Sequence, residues 1–112
     1  MRLNELMNQP GFTVLVAPEN GDREVTGIKC CDLLSWVMDN GAEGDAWITV
    51  QTHLNVVAVA ALLDMACIIV PEGIEMEEAT LEKARSQSVA VLAADTDAFG
   101  IFSRCYEAGL RK

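Results

Sequence analysis

The stretch that decides the fold is Ala46-Trp47-Ile48-Thr49-Val50-Gln51-Thr52-His53-Leu54-Asn55-Val56-Val57-Ala58-Val59-Ala60-Ala61-Leu62-Leu63, continued by Asp64-Met65-Ala66-Cys67-Ile68-Ile69-Val70. It reads as a strand over Ala46–Val50, a polar elbow over Thr49–Asn55, an apolar helix from Asn55 to about Met65, and a strand over Cys67–Val70. Both strands are short, continuously apolar runs, the pattern of parallel strands buried on both faces. The elbow holds His53, the one histidine of the chain. A polar cluster between two buried elements needs partners, because unpaired polar groups are costly to bury. Helix capping meets that need, and so does a ligand.

Toward the N-terminus, Asp32 stands as the cap of a helix over roughly Leu33–Asp39, stopped by Gly41. Leu33, Leu34, Val37 and Met38 form its inner side. Before it come a short strand Glu24–Ile28, the turn-rich loop Pro18–Asp22, the β-branched strand Phe12–Ala17, and a short opening helix Leu3–Met7 ended by Pro10-Gly11. Toward the C-terminus, Pro71-Glu72-Gly73 closes the Cys67 strand. A polar helix Glu77–Gln87 follows, with Glu77 and Glu78 set against its N-terminal dipole. A strand Val89–Ala93 comes next, then Asp95-Thr96-Asp97 capping a last helix identified by Phe99, Phe102 and Tyr106 at i, i+3 and i+7.

Strand and helix alternate from residue 46 onward, and right-handed crossovers then build a layered sheet. The expected fold class is therefore α/β: a three-layer sandwich with a mostly parallel sheet of about four to five strands and helices on both faces. With 112 residues and no linker or low-complexity segment, residues 1–112 are expected to be one domain.

Composition narrows the function classes. Hydrophobic residues are 51% and aromatics 5%, so the core must be aliphatic. The net charge of −9 repels a phosphate backbone and an anionic membrane surface alike, so neither nucleic acid nor membrane is an expected partner. The longest apolar run, Val56–Leu63, is far short of the ~18 residues of a membrane span. The N-terminus has no signal-peptide core, and a cytoplasmic location follows by default. Of the four cysteines, Cys67 and Cys105 read as small core hydrophobes. Cys30-Cys31 is a less usual pair, read mainly as reduced thiols, with redox or metal chemistry as the alternative.

In an open parallel sheet, ligands bind beyond the carboxyl ends of the strands. Lys29, Cys30, Cys31, Asp32 and Ser35 follow the second strand, and Thr49, Gln51, Thr52, His53 and Asn55 the third. Glu72 and Gly73 follow the fourth, and Asp95, Thr96 and Asp97 the fifth. Asp32, Asn55 and Asp95 or Thr96 also read simply as helix caps. The sequence carries no G-x-x-x-x-G-K-[ST] loop, no G-x-G-x-x-G fingerprint and no G-x-S-x-G elbow around Ser35. Asp32, Asp95 and Asp97 have no metal-specific spacing, so no metal site is assigned.

The helix Val56–Leu63 is hydrophobic all round, so both its faces must be covered. Ala58, Ala60 and Ala61 would permit the close approach of a second copy, which makes this helix the expected homodimer interface. The alternative cover is the opening helix with the Pro18–Asp22 loop.

The chain resembles the DRTGG domain family. The resemblance rests on Val25-Thr26-Gly27 leading to Asp32-Leu33-Leu34-Ser35, on the T-x-Q-x-H-x-N-x-x-A-V-A run Thr49–Ala60, and on Ala66–Ile69 and Lys83-Ala84. The letters D-R-T-G-G are not contiguous here, Asp22-Arg23 and Thr26-Gly27 being fragments, and Cys30-Cys31 departs from the family pattern. The resemblance implies a fold similar to the N-terminal domain of HPr kinase/phosphorylase, without its kinase chemistry, which belongs to a separate P-loop domain. It also implies a regulatory and dimerising module, as in phosphate acetyltransferases and regulatory inorganic pyrophosphatases, near an adenine-nucleotide site.

The leading expectation is a non-catalytic regulatory module: a homodimer that senses a small molecule, an adenine nucleotide among the candidates, or docks a partner enzyme. Its expected ligand residues are Gly27, Asp32, Ser35, Thr49, His53 and Asn55. The alternatives are a pure protein-interaction scaffold and a small hydrolase or transferase with His53 as base, oriented by Asp32 or Asp95.

Overall fold

A computed structural model describes residues 1–111. The elements are α1 (Leu3–Met7), β1 (Phe12–Val16), β2 (Gly27–Cys30), α2 (Leu34–Asn40), β3 (Asp45–Ile48), α3 (Asn55–Leu62), β4 (Cys67–Val70), α4 (Glu78–Gln87), β5 (Val91–Ala94) and α5 (Ala98–Glu107). They form a three-layer α/β sandwich around a mixed, mostly parallel sheet, as the apolar strand runs led us to expect. The strand order is β1-β5-β4-β3-β2. β2 through β5 are parallel to one another, and β1 pairs antiparallel with β5.

Because β2, β3, β4 and β5 follow one another without reversal, successive crossovers of one hand place α2, α3 and α4 on a single face. Val37, Val56, Val57 and Ala84 from those helices pack there with Trp47, Ile68, Val70 and Val91. Leu3 and Leu6 of α1 and Ile101 and Cys105 of α5 pack on the other face with Ala46, Ile48, Cys67, Ile69 and Leu92. β3 and β4 are buried along their whole length, which is why neither shows alternation.

Several boundaries move. The second strand lies at Gly27–Cys30 rather than Glu24–Ile28; Glu24 makes only an isolated bridge to Arg2. The fifth begins at Val91, two residues later than expected. On α2 only Val37 is buried; Leu33 and Met38 face outward, because the helix stands over the sheet edge.

The cover of α3 also differs from expectation, and Cys105 of α5 is a core residue as expected. On α3, Val56, Val57, Val59 and Ala60 are all buried within the chain itself. The sheet lies beneath this helix and α2 and α4 flank it, whereas α1 packs on the opposite face. Only Asn55, Ala58 and Leu62 of α3 are exposed, so the all-round apolar pattern reflects a central helix in its layer. On α5 the buried face is Ile101 and Cys105, and the aromatic stripe points away from the sheet: Phe99 is 80% and Tyr106 61% exposed.

Candidate functional site

The loop after β3 is built around Asp32. Asp32 Oδ1 accepts the Thr49 hydroxyl at 2.8 Å and the Val50 N–H at 2.9 Å. Gln51 Nε2 donates back to the Asp32 carbonyl at 3.0 Å, and the Thr49 hydroxyl accepts the Gln51 N–H at 3.2 Å. The end of β2 and the end of β3 are thereby tied into one polar platform. Thr49 is the buried member, 1% exposed, which is why its hydroxyl needs a fixed partner.

This arrangement corrects the capping roles. Asp32 does not cap α2, whose N-cap is Leu33 with no side-chain bond. Cys31 takes that place in part, its sulfur accepting the Leu33 N–H at 3.4 Å. Asn55 is the first helical residue of α3 rather than its cap, and its N–H donates to His53 Nδ1 at 3.3 Å. Of the Asp95-Thr96-Asp97 triplet, Asp97 caps α5 by accepting from the Gly100 N–H at 2.9 Å, while Asp95 pairs with Arg104 at 2.8 Å.

The structure thus brings Asp32, Thr49, His53 and Asn55 to the carboxyl rim of β2 and β3. Ser35 sits beside them, exposed in the first turn of α2. Gly27 is apart. It opens β2 opposite Asp45, at the other end of the strand, roughly 15 Å from Asp32 at ~3.3 Å per residue. The fragments of the D-R-T-G-G pattern lie at that far end and hold the fold there. Arg23 clamps Asp64 through its carboxylate and carbonyl, both at 3.1 Å, and Thr26 Oγ1 donates to the Glu43 carbonyl at 3.0 Å.

Thr80 was not anticipated. It is fully buried near the start of α4, and its hydroxyl donates to the Thr52 carbonyl at 2.6 Å, locking the elbow to α4. A lone threonine in a polar helix carries no sequence signal of such a bond. The topology also singles out a second part of the rim. α4 follows β4 on one face and α5 follows β5 on the other, so the helices diverge between those strands, where α/β crevices form. The loop after β4 closes that gap: the Glu72 and Gly73 N–H groups donate to the Thr96 and Ala94 carbonyls at 2.9 and 3.1 Å, with both residues left-handed.

No carboxylate is bonded to the His53 imidazole among the described residues. Asp32 is committed to Thr49 and Val50, and Asp95 to Arg104. The base–orienter pair of the enzymatic alternative is therefore not formed. Asp32, Asp95 and Asp97 each serve a separate partner rather than converging on one point. Among the cysteines, burial pushes the Cys67 thiol up to about 12, with Cys105 adding to the effect, and pushes Cys105 up to about 11. Cys30 is exposed, yet partial desolvation at the strand edge, and next the Asp32 and Cys31 charges, raise its thiol as well.

No family model matches the chain, and no curated protein matches it. Among solved structures it is similar to the CBS and DRTGG domains of the regulatory region of a Clostridium perfringens pyrophosphatase, crystallised with its activator diadenosine tetraphosphate. The TM-score is 0.74 at 15% sequence identity, with 96% of this chain superposed. The chain spans 46% of that longer chain. The likeness supports a DRTGG-like fold. No helix among the described residues is long and apolar enough to cross a membrane.

Proposed function

We infer that the chain is a single DRTGG-like regulatory module, cytoplasmic and self-associating, that binds an adenine nucleotide at the carboxyl rim of β2 and β3. The observation that carries this reading is the fold shared with a regulatory region that holds an adenine-containing activator. The rim supports it locally. α4 begins there without a side-chain cap, and among the described residues its Glu78 and Ala79 N–H groups have no partner, leaving them free for an acceptor ligand. Asp32 and Thr49 form the rigid floor, and the exposed His53, Asn55 and Ser35 are the groups that a ligand would meet. Gly27 is too distant to share that site.

Carboxylates crowd the same rim, Asp32, Glu72, Glu77 and Asp97 among them, so nucleotide phosphates would be received best as their Mg2+ complexes. A thermal-shift series with AMP, ADP, ATP and diadenosine tetraphosphate, with and without Mg2+, tests the reading, since a ligand selective for the folded state raises Tm. A second reading, a protein-interaction scaffold docking a partner enzyme, is favoured by the exposed aromatic face of α5.

A further inference from the structure

α5 leaves a groove between itself and the edge strand β2, on the face opposite α2, α3 and α4. Its volume is about 480 Å3, and Ile28, Phe99, Phe102, Tyr106, Leu110 and Arg111 line it. Phe99, Phe102 and Tyr106 are 80%, 38% and 61% exposed. We propose that this groove is a homodimer interface in which the Phe99 ring of each copy enters the groove of the other. The proposal rests on the self-associating module inferred above and names the surface that joins the copies.

Three features select a second copy as the occupant. The surface is self-complementary: each copy carries both a protruding ring and a cleft to receive it, as a two-fold interface requires. The area is appropriate. At roughly 200 Å2 per aromatic side chain, the exposed ring surface comes to about 350 Å2 per copy. That is close to half the ~800 Å2 per partner of a standard interface, and Ile28, Leu110 and the free edge of β2 lie next to it.

Charge is the third feature. Each copy carries −9, so association must avoid juxtaposed carboxylates. Among the described residues, the groove lining holds one cation and no carboxylate. That cation, Arg111, lies 4.1 Å from the centroid of the Tyr106 ring and donates to the Tyr106 carbonyl. Glu72, Glu75, Glu77, Glu78 and Glu82 lie in α4 and the loop before it, and α4 packs on the opposite face of the sheet. Pairing through α5 therefore turns α4 outward.

Sedimentation equilibrium over a concentration series reaching about 200 μM tests the proposal on the wild-type chain, Phe99→Glu, Tyr106→Glu and Leu62→Glu. Leu62, 69% exposed on α3, reports the alternative helix surface. The expected result is a dimer for wild type and Leu62→Glu, and a tenfold or greater loss of dimer affinity for Phe99→Glu and Tyr106→Glu. All three sites are exposed, and unchanged far-UV circular dichroism identifies folded variants. A monomeric wild type overturns the proposal, as does a dimer that survives both aromatic substitutions or that Leu62→Glu dissociates. The nucleotide thermal shift of Phe99→Glu reads the rim separately, so loss of the dimer surface and loss of the ligand reading are distinguishable.

Discussion

A single oxygen of Asp32, Oδ1, holds both the Thr49 hydroxyl at 2.8 Å and the Val50 N–H at 2.9 Å. The carboxylate thereby fixes the path of the chain as it leaves β3, and with it the position of His53 and Asn55. Asp32→Ala removes the one oxygen that accepts both bonds and leaves the buried Thr49 hydroxyl, which still accepts the Gln51 N–H, with no acceptor for its own proton. A loss of about 1–2 kcal/mol is expected, because the carboxylate side of the bond is exposed to water. Asp32→Asn, which keeps an acceptor, should cost about half as much, and urea unfolding of the two variants checks the order.

Lys29 and Asp45 form the one ion pair with a deeply buried carboxylate among the described residues. Their separation is 2.9 Å, and the Asp45 side chain is 3% exposed. The same Asp45 oxygen also accepts the Ala42 N–H at 2.9 Å. Lys29→Met strands that charge and should destabilise the fold by about 3 kcal/mol. Adding Asp45→Asn, which stays neutral and still accepts from Ala42, should recover most of the loss. A double-mutant cycle from denaturant curves measures the coupling.

Ser88 ends α4 in the left-handed region, at φ 58° and ψ 40°. A side chain is strained there and glycine is not. Ser88→Gly should therefore raise stability by about 0.5–1 kcal/mol, visible as a Tm increase of a few degrees.

Folding stability should also fall in strong base. Cys67 and Cys105 have ordinary values of 9.0 when exposed and about 12 and about 11 in the fold. Between pH 9 and pH 12 the unfolded chain therefore holds fewer protons than the folded one, and stability declines with rising pH. Below pH 9 both states keep these protons and the two thiols add no slope. Chemical denaturation from pH 8 to 11 checks the sign. Thiol labelling at pH 8 should reach Cys30 and Cys31 first, and Cys67 and Cys105 only on unfolding.

The parts of the fold that could be read from the sequence are those set by local burial. Cys67–Val70 and the run into Ile48 are apolar without alternation, and both became inner strands. The antiparallel pairing of β1 with β5 joins segments some eighty residues apart, and no local pattern encodes it. Composition could also mislead. Val56–Leu63 read as a face awaiting a partner, but a helix flanked by α2 and α4 finds that cover within its own layer. The Phe99–Phe102–Tyr106 stripe has helical spacing, yet smaller Ile101 and Cys105 hold the inner face, because spacing reveals a helix without revealing which side meets the sheet.

The candidate site was legible to a similar degree. That Asp32, Thr49, His53 and Asn55 share a rim followed from their places at strand ends. Their bonds did not follow, because the chemistry that suits an aspartate to a helix cap suits it equally to latching a loop. The Thr80 hydroxyl on the Thr52 carbonyl lies further from prediction still, since it depends on how α4 settles against the elbow.

Recognition of an adenine nucleotide by the rim at His53 and Asn55 can be measured on the protein alone. Its most direct test is calorimetric titration of the wild-type chain and of His53→Ala and Asn55→Ala with ATP and diadenosine tetraphosphate in the presence of Mg2+. Saturable binding by the wild type is expected, weakened at least tenfold, about 1.4 kcal/mol, in either variant while the fold is kept. Absence of binding by the wild type, or binding that both variants retain unchanged, would contradict it.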